Sequence, residues 1–152
     1  MWVFYVFASL LVIQSAVSLR GGFRYLAYVR RELAKADSDF APYASVIAPC
    51  RGLDQGLRDN LAALFRQDYP AYEIIFVTDS ATDPALAVIE DVRREFGARV
   101  ASRVCVAGEA ARGGQKVHNL RAAVTGTDAK SELFVFVDSD ARPRENWLRA
   151  LV

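Results

Sequence analysis

The longest apolar block of the chain lies at its start. Residues 1–19 contain no charged side chain, and residues 20–31 follow with four arginines and no acid. An uncharged run of this length reaches about the ~20 residues that an α-helix needs to cross a bilayer. Because cationic residues mark the cytoplasmic end of a membrane helix, the pattern predicts an anchor over 1–21 with the rest of the chain in the cytoplasm. A secretory signal peptide is the alternative, but its basic segment precedes the apolar run, which is not the order here.

A basic segment joins this predicted anchor to the rest of the chain. Residues 22–36 combine aromatic and aliphatic side chains with cations, which is typical of a helix that lies on an anionic membrane surface. An ordinary solvated connector has the same composition, so both interpretations stay open. We divide the chain into the anchor, a connector over 22–42 and a globular body over 43–152.

In the body, short apolar runs alternate with amphipathic segments. The runs predict four strands, over 45–48, 73–77, 100–106 and 133–137. Apolar residues at helical spacing predict helices over 57–65, 84–96 and 115–124, and a last one around Trp147-Leu148. Asp83 is the predicted N-cap of the second helix, with Pro84 at its first position. Alternating strands and helices indicate an α/β fold, a mostly parallel Rossmann-like sheet with helices on both faces.

Composition and charge narrow the function classes. The 152 residues are 53% apolar and 24% charged with a net charge of +1, which excludes an intrinsically disordered chain. Nineteen basic residues balance 18 acidic ones, so the chain has no cationic excess for a nucleic acid, and none is expected as a partner. Two cysteines, Cys50 and Cys105, are too few for a disulfide framework or a zinc site. A single histidine, His118, is the only base that a serine-type triad could use.

The candidate chemistry lies where the predicted strands end. Ligands of parallel sheets bind at the carboxyl ends of the strands, and carboxylates follow two of these ends: Asp79, and Asp138 with Asp140. Alternate residues at a strand end project to the same side, so the two D-x-D carboxylates are predicted to converge on one point. Divalent cations such as Mg²⁺ and Mn²⁺ favour such oxygens together with substrate phosphates. Taken alone, the same residues also serve as turn and cap residues.

Lys116 is a candidate phosphate ligand. It follows a glycine-bearing segment over 108–114 and lies near the start of a predicted helix, where free backbone N–H groups favour an anion. The segment lacks the G-K-[ST] ending of a phosphate-binding loop, and no G-x-G-x-x-G follows the first strand, so a nicotinamide-binding domain is disfavoured. By itself, a lysine in this place is more often simply solvated.

Five short segments of the body carry a family resemblance. They are Val46-Ile47-Ala48-Pro49-Cys50-Arg51-Gly52, Asn60 through Phe65 with Asp68-Tyr69-Pro70-Ala71-Tyr72-Glu73, Val77-Thr78-Asp79 with Asp83-Pro84-Ala85, Lys116-Val117-His118-Asn119-Leu120, and Asp138-Ser139-Asp140. In order and approximate spacing across 44–152, they resemble the N-terminal half of family-2-type glycosyltransferases with the GT-A fold. Within that group, they are most similar to ceramide glucosyltransferases and their bacterial relatives.

The resemblance implies an enzyme, a membrane-anchored hexosyltransferase of glycolipid biosynthesis. Its donor would be a nucleotide sugar, a uridine diphosphate sugar, and its acceptor a lipid such as a ceramide. The resemblance also implies that Asp79 contacts the nucleotide base and that Lys116 approaches the donor's phosphates or ribose. It implies a Mn²⁺ or Mg²⁺ ion held by Asp138 and Asp140, with Asp140 the principal ligand. Some ceramide-type members carry glycine at the position of Asp140, so metal dependence varies in this branch.

The resemblance further implies an acceptor half after the D-x-D, which supplies the catalytic base. We therefore expect that base beyond Val152 and expect the 152-residue chain alone, as an N-terminal fragment, to be inactive. A non-catalytic, membrane-tethered nucleotide-sugar binding module is the alternative function. A phosphatase of the haloacid dehalogenase type also uses D-x-D, but on its first strand and with Thr or Val where Arg142 stands, so we discount it.

Overall fold

The computed structural model describes residues 1–34 and 40–152. The chain forms two units that divide between Asp37 and Ser38, an N-terminal helix and the body. Residues 35–39 belong to the predicted connector over 22–42, so that part of the prediction lies outside the described residues. The boundaries predicted at 21 and 42 remain predictions.

The N-terminal unit is a single helix, α1, over Trp2–Leu33. Its 32 residues make it about 48 Å long, which exceeds the ~30 Å hydrocarbon core of a bilayer. Its most apolar stretch of 18 residues has a mean hydropathy of 1.9, so by length and composition this helix could cross a membrane, as could a signal sequence near an N-terminus. Gly21 and Gly22 lie inside it, so no break separates the predicted anchor from the start of the connector.

The body is built on a parallel sheet of four strands, β1 over Ala44–Pro49, β2 over Tyr72–Thr78, β3 over Ala101–Val106 and β4 over Leu133–Phe136. Their order is β3-β2-β1-β4, and the register sets Ile47 of β1 opposite Ile75 of β2 and Phe136 of β4. All four strands match the predicted runs to within about two residues. The predicted fold class is confirmed.

Four helices follow the strands: α2 over Leu57–Leu64, α3 over Ala85–Phe96, α4 over Gln115–Thr125 and α5 over Trp147–Ala150. The α3 helix begins one residue later than predicted, with Pro84 as its N-cap residue. The Asp83 carboxylate still accepts a hydrogen bond from the Ala85 N–H at 2.8 Å, but it also accepts one from Gly52 N–H at 2.9 Å. Asp83 therefore joins the start of α3 to the loop after β1.

Alternation of side chains along the strands divides the core into two clusters. On one face, Val46, Ile74 and Phe76 are fully buried in a cluster that includes Leu61 of α2 and Ile89 of α3. Burial of a side chain of this size stabilises the fold by about 1.5–3 kcal/mol. This face therefore supplies most of the apolar burial of the body.

The other face is covered by α4 at its centre and left open at β4. Ile47, Ile75 and Val77 pack with Ala123 of α4. At the edge strand, Phe134 is 43% exposed and Phe136 is 50% exposed, because α4 contacts β1, β2 and β3 but makes no comparable contact with β4 within the described residues. The prediction of helices on both faces thus holds for the centre of the sheet.

A buried polar network lies at the amino end of the sheet. Glu73 is 6% exposed, and its Oε1 accepts hydrogen bonds from the Ser45 hydroxyl at 2.7 Å and from the Asp128 N–H at 2.8 Å. Its Oε2 lies 3.4 Å from Nη2 of Arg103, and the Ser45 hydroxyl is 2.7 Å from that of Ser131. A buried carboxylate is tolerated only with such partners, so the network fixes the segment between α4 and β4.

Candidate functional site

A cleft of about 320 Å³ opens at the carboxyl edge of the sheet. Three segments line it: the loop after β1, the first turns of α4 and the turn after β4. The lining residues are Pro49, Cys50, Arg51, Asp54, Gln115, Lys116, Asn119, Asp138, Ser139 and Asp140. The place agrees with the rule that parallel sheets bind ligands beyond the carboxyl ends of their strands.

The loop after β1 reaches the cleft through two glycines in the left-handed region. Gly52 has a φ of +67° and Gly56 a φ of +73°, which residues with a side chain adopt only with strain. These turns present Arg51, whose side chain is 80% exposed and whose Nε lies 3.6 Å from Oδ2 of Asp79. Asp79 itself does not line the cleft, but its ion pair with Arg51 places it beside the cleft wall.

The two D-x-D carboxylates line the same cleft, although not for the reason predicted. Strand β4 ends at Phe136, and a turn closed by the Ala141 N–H and the Asp138 carbonyl at 3.1 Å carries both residues. The strand alternation on which the prediction relied therefore stops before Asp138, and the prediction that alternation directs both carboxylates is wrong. The turn brings them to the cleft instead.

Neighbouring segments hold this turn from two sides. The Ser139 hydroxyl donates to Oδ2 of Asp54 at 2.7 Å, which links the turn to the loop after β1. The Ser139 carbonyl accepts from Nδ2 of Asn60 at 3.1 Å, which links it to α2. Arg142, just past the turn, donates from Nε to Oδ1 of the same Asn60 at 3.1 Å.

The start of α4 forms the wall opposite the loop after β1. The Gln115 side chain accepts from the Ala110 N–H at 2.8 Å and donates to the carbonyl of Gly108 at 2.8 Å and to Oδ1 of Asn119 at 2.7 Å. These bonds tie the segment after β3 to the helix. They leave Lys116 facing the turn after β4, with its Nζ 2.5 Å from Oδ1 of Asp138.

The cleft carries three carboxylates and two cations. Asp54, Asp138 and Asp140 lie in its lining with Arg51 and Lys116, a charge balance of −1. Within residues 1–34 and 40–152, no group of three His, Cys, Asp or Glu side chains is arranged to hold a metal ion without other ligands. Mg²⁺ is commonly held by one or two carboxylates plus substrate phosphates, so the carboxylates of the cleft fit an ion that binds together with a diphosphate.

Cys50 lines the cleft, but its thiol is unreactive at neutral pH. Burial, aided by the nearby Asp83 and Asp54 carboxylates, raises the pKa of its thiol from 9.0 to about 12. Because the thiolate is the nucleophile and the metal ligand, the protonated thiol at neutral pH serves neither role. Its Sγ instead donates to the carbonyl of Ala48 at 3.5 Å.

Three of the four residues predicted for the site meet in the cleft: Lys116, Asp138 and Asp140. Asp79 lies outside the lining and reaches it through Arg51. Sequence reasoning assigned no role to Asp54, Gln115 or Asn60, which position the turn or the wall. Each is a polar residue next to, or inside, an apolar helix pattern, and Asn60 also begins one of the five segments that carry the family resemblance.

Comparisons with known proteins agree with this architecture. The family model of glycosyl transferase family 21 matches residues 8–152. Ceramide glucosyltransferase 3 of Caenorhabditis elegans is 28% identical over 120 residues, which are 76% of this chain and 26% of that protein. The ceramide glucosyltransferase of Gibberella zeae is 41% identical over 58 residues, which are 37% of this chain and 11% of that protein.

Two solved structures share the fold. The mannosyltransferase PcManGT from Pyrobaculum calidifontis, in complex with GDP-Man and Mn²⁺, aligns with a TM-score of 0.60 at 22% identity, over 86% of this chain and 39% of that one. S. aureus TarS 1-349, in complex with UDP, aligns with a TM-score of 0.56 at 26% identity, over 72% of this chain and 30% of that one. This chain thus spans well under half of these relatives.

Fold and cleft together define the class: the body has the GT-A fold of glycosyltransferases, with the cleft at the carboxyl edge of its parallel sheet. The resemblance to GT-A enzymes and to ceramide glucosyltransferases is confirmed. The chain belongs to glycosyl transferase family 21.

Proposed function

We propose that this chain binds the nucleotide-sugar donor of a membrane-anchored glycosyltransferase. The donor is a uridine diphosphate hexose, and the acceptor is a lipid of the ceramide type. One observation carries the proposal: Lys116 and the carboxylates of Asp138 and Asp140 line a single cleft at the carboxyl edge of a parallel sheet. The family assignment, and a UDP complex of a neighbour that is 26% identical, support it.

In this proposal, each residue of the cleft has a separate role. Asp79, beside the cleft wall, contacts the nucleotide base. Lys116 lies at the start of α4, where its side chain can donate to phosphate oxygens. A charge-assisted hydrogen bond of this kind is worth about 1.5–3 kcal/mol.

Asp138 and Asp140 would hold a divalent cation, Mn²⁺ or Mg²⁺. They supply two carboxylates, the number that Mg²⁺ commonly takes from a protein when it also binds substrate phosphates. The P. calidifontis enzyme, which shares the fold, is in complex with GDP-Man and Mn²⁺. When bound, such an ion would neutralise negative charge on the departing diphosphate.

Binding measurements on the complete 152-residue chain in lipid nanodiscs test the donor site. We expect UDP to bind more tightly with Mn²⁺ than without it, and more tightly than GDP. Asp140→Asn should abolish the gain from Mn²⁺, whereas Asp79→Asn should weaken UDP binding even without metal. Asp91→Asn is the matched control, since Asp91 is exposed on α3 and pairs with Arg94.

The donor assignment would be overturned if wild type failed to bind UDP in the presence of Mn²⁺. Tighter binding of GDP would overturn its uridine part. If Mn²⁺ raises the affinity for UDP equally in wild type and Asp140→Asn, the proposed role of Asp140 as a metal ligand would be overturned.

The lipid acceptor and the anchoring rest on α1 and on the relatives named ceramide glucosyltransferase. Because the chain alone is expected to be inactive, this assay uses membranes that contain it joined to the acceptor half that the resemblance implies. Given a radiolabelled UDP-hexose, these membranes should yield label in their lipid extract, and membranes with Asp140→Asn should not. Label confined to the protein precipitate would overturn a lipid acceptor.

The arginines that follow the apolar run of α1 support a cytoplasmic body. A cysteine in place of the exposed Ala98, in a Cys105→Ser background, reports the side of the membrane. We expect an impermeant maleimide to label it only after the cells are permeabilised. Labelling in intact cells would place the body outside.

A further inference from the structure

Asn60 is a buried polar residue of α2 that contacts the turn after β4 with both ends of its amide. It is 5% exposed. Its Nδ2 donates to the carbonyl of Ser139 at 3.1 Å, and its Oδ1 accepts from Nε of Arg142 at 3.1 Å. The two contacts fall on either side of Asp140.

The geometry matters because Ser139 is the central residue of the D-x-D. Fixing its carbonyl fixes the peptide plane that connects it to Asp140, while the hydrogen bond from the Ala141 N–H holds the carbonyl of Asp138. Together these two bonds limit where both carboxylates can lie. The Ser139 hydroxyl is held independently by Oδ2 of Asp54 at 2.7 Å. Asn60 thus acts on the backbone of the turn, and Asp54 on its side chain.

Arg142 completes the arrangement. Its Nη2 donates to Oδ2 of Asp59 at 3.0 Å, so its guanidinium is anchored on α2 as well. With Oδ1 engaged by the guanidinium, the Asn60 amide is oriented with Nδ2 toward the Ser139 carbonyl. Rotation of this amide would break both hydrogen bonds and set two carbonyl oxygens against each other.

We propose that Asn60 is a positioning residue for the carboxylates of Asp138 and Asp140, an inference that rests on the donor and metal site proposed above. Groups that orient metal-binding carboxylates contribute strongly to metal affinity, and their removal costs about 10-fold to 100-fold. Asn60 touches neither the donor nor the metal in this proposal. It acts through the turn.

Gln67 provides a matched control. It is also a buried amide close to α2, and it is 8% exposed. Its Nε2 donates to the carbonyls of Ala63 and Arg144, each at 3.0 Å, and its Oε1 accepts from the Leu148 N–H at 3.0 Å. Gln67 therefore holds the segment beyond the turn by the same chemistry, without contacting the D-x-D.

The test compares Asn60→Leu with Gln67→Met in the complete chain in nanodiscs. The readout is the ratio of UDP dissociation constants measured without and with Mn²⁺, together with the melting temperature. Both variants should lower the melting temperature, because each removes buried hydrogen bonds. Only Asn60→Leu should reduce the Mn²⁺-dependent ratio, by about 10-fold to 100-fold, with UDP binding in the absence of metal unchanged.

If Asn60→Leu kept the wild-type ratio of UDP dissociation constants without and with Mn²⁺, the positioning role would be overturned. An equal reduction of this ratio in Gln67→Met would also overturn it. If wild type itself shows no gain from Mn²⁺, the proposed metal site fails and the positioning role fails with it. Should Asn60→Leu not fold, Arg142→Gln carries the test, since this side chain is 56% exposed. It should lower the ratio in the same direction, and an unchanged ratio would overturn the role.

Discussion

Replacing Lys116 with glutamine should raise the affinity of the cleft for a metal ion and lower its affinity for a nucleotide. In the cleft, Nζ of Lys116 lies 2.5 Å from Oδ1 of Asp138, and both side chains are 61% exposed. An ion that binds Oδ1 of Asp138 competes with this ammonium. Exposed ion pairs are worth about 0.2–1 kcal/mol, so their removal should tighten binding of Mn²⁺ alone by up to about fivefold.

The effect on UDP has the opposite sign and a larger size. A charge-assisted hydrogen bond between an ammonium and a phosphate is worth about 1.5–3 kcal/mol, so Lys116→Gln should weaken UDP binding by about 10-fold to 100-fold. The fold should hardly change, because an exposed ion pair of at most about 1 kcal/mol shifts the melting temperature by only a few degrees.

Calorimetry on nanodisc-embedded chain, with Mn²⁺ alone and then with UDP, separates the two effects. The matched control is Lys130→Gln, which makes the same charge change at a side chain that is 71% exposed and pairs with Asp128 at 3.4 Å. We expect this control to match wild type in both titrations. Equal Mn²⁺ affinity in the two variants, or undiminished UDP binding in Lys116→Gln, would refute the reasoning.

Three further predictions concern stability. Ile89→Ala removes a fully buried side chain and should lower the free energy of unfolding in urea by about 2–5 kcal/mol. Val88→Ala on the same helix should lower it less, because Val88 is only partly buried, and equal losses in the two variants would contradict the packing. Burial raises the pKa of Cys50 to about 12, so the folded chain keeps a thiol proton that the unfolded chain releases above pH 9.0. The contribution of this thiol to the free energy of unfolding is therefore complete below pH 9.0 and is lost as the pH rises toward 12. Urea unfolding at pH 7.5 and 10 should therefore show a smaller decline for Cys50→Ala than for wild type. Gly113→Ala should destabilise by about 1–2 kcal/mol because φ is +82° there, whereas Gly114→Ala, with no atom within 4 Å of the added Cβ and a negative φ, should be tolerated in thermal melts.

The central strands could be predicted because their sequence pattern is typical of a buried β-strand. The run from Glu73 to Val77 is apolar after its first residue and rich in β-branched and aromatic residues, and β2 covers it entirely. Glu73 within that run has no explanation from sequence alone. Its partners Ser45, Asp128 and Arg103 lie far from it in the chain, so only the sheet register brings them together.

The site was predictable to the extent that strand ends determine it. Asp138 and Asp140 follow an apolar run directly, and Lys116 follows a glycine-rich segment, so topology alone places them at one edge. The turn that carries the carboxylates was not predicted, because Asp and Ser after an apolar run fit either a turn or the end of a strand. The hydrogen bond from the Ala141 N–H to the Asp138 carbonyl shows which of the two forms. Asn60 was missed for a related reason: a polar residue in an amphipathic helix gives no sign of which backbone carbonyl will face it.

The buried network around Glu73 has a practical consequence for altering this protein. It lies at the amino end of the sheet, whereas the cleft lies at the carboxyl end, and the 11 residues of α4 separate the two by about 16 Å. The hydrogen bond from Ser139 to Asp54 at the cleft is exposed, while the bond from Ser45 to Glu73 is buried. A library of variants confined to Arg51 and Asp54, which line the cleft, would therefore change the surface of the proposed donor site without disturbing this anchor of the fold. Selection for a changed ligand preference can accordingly start from the loop after β1, with most sequences in the library still able to fold.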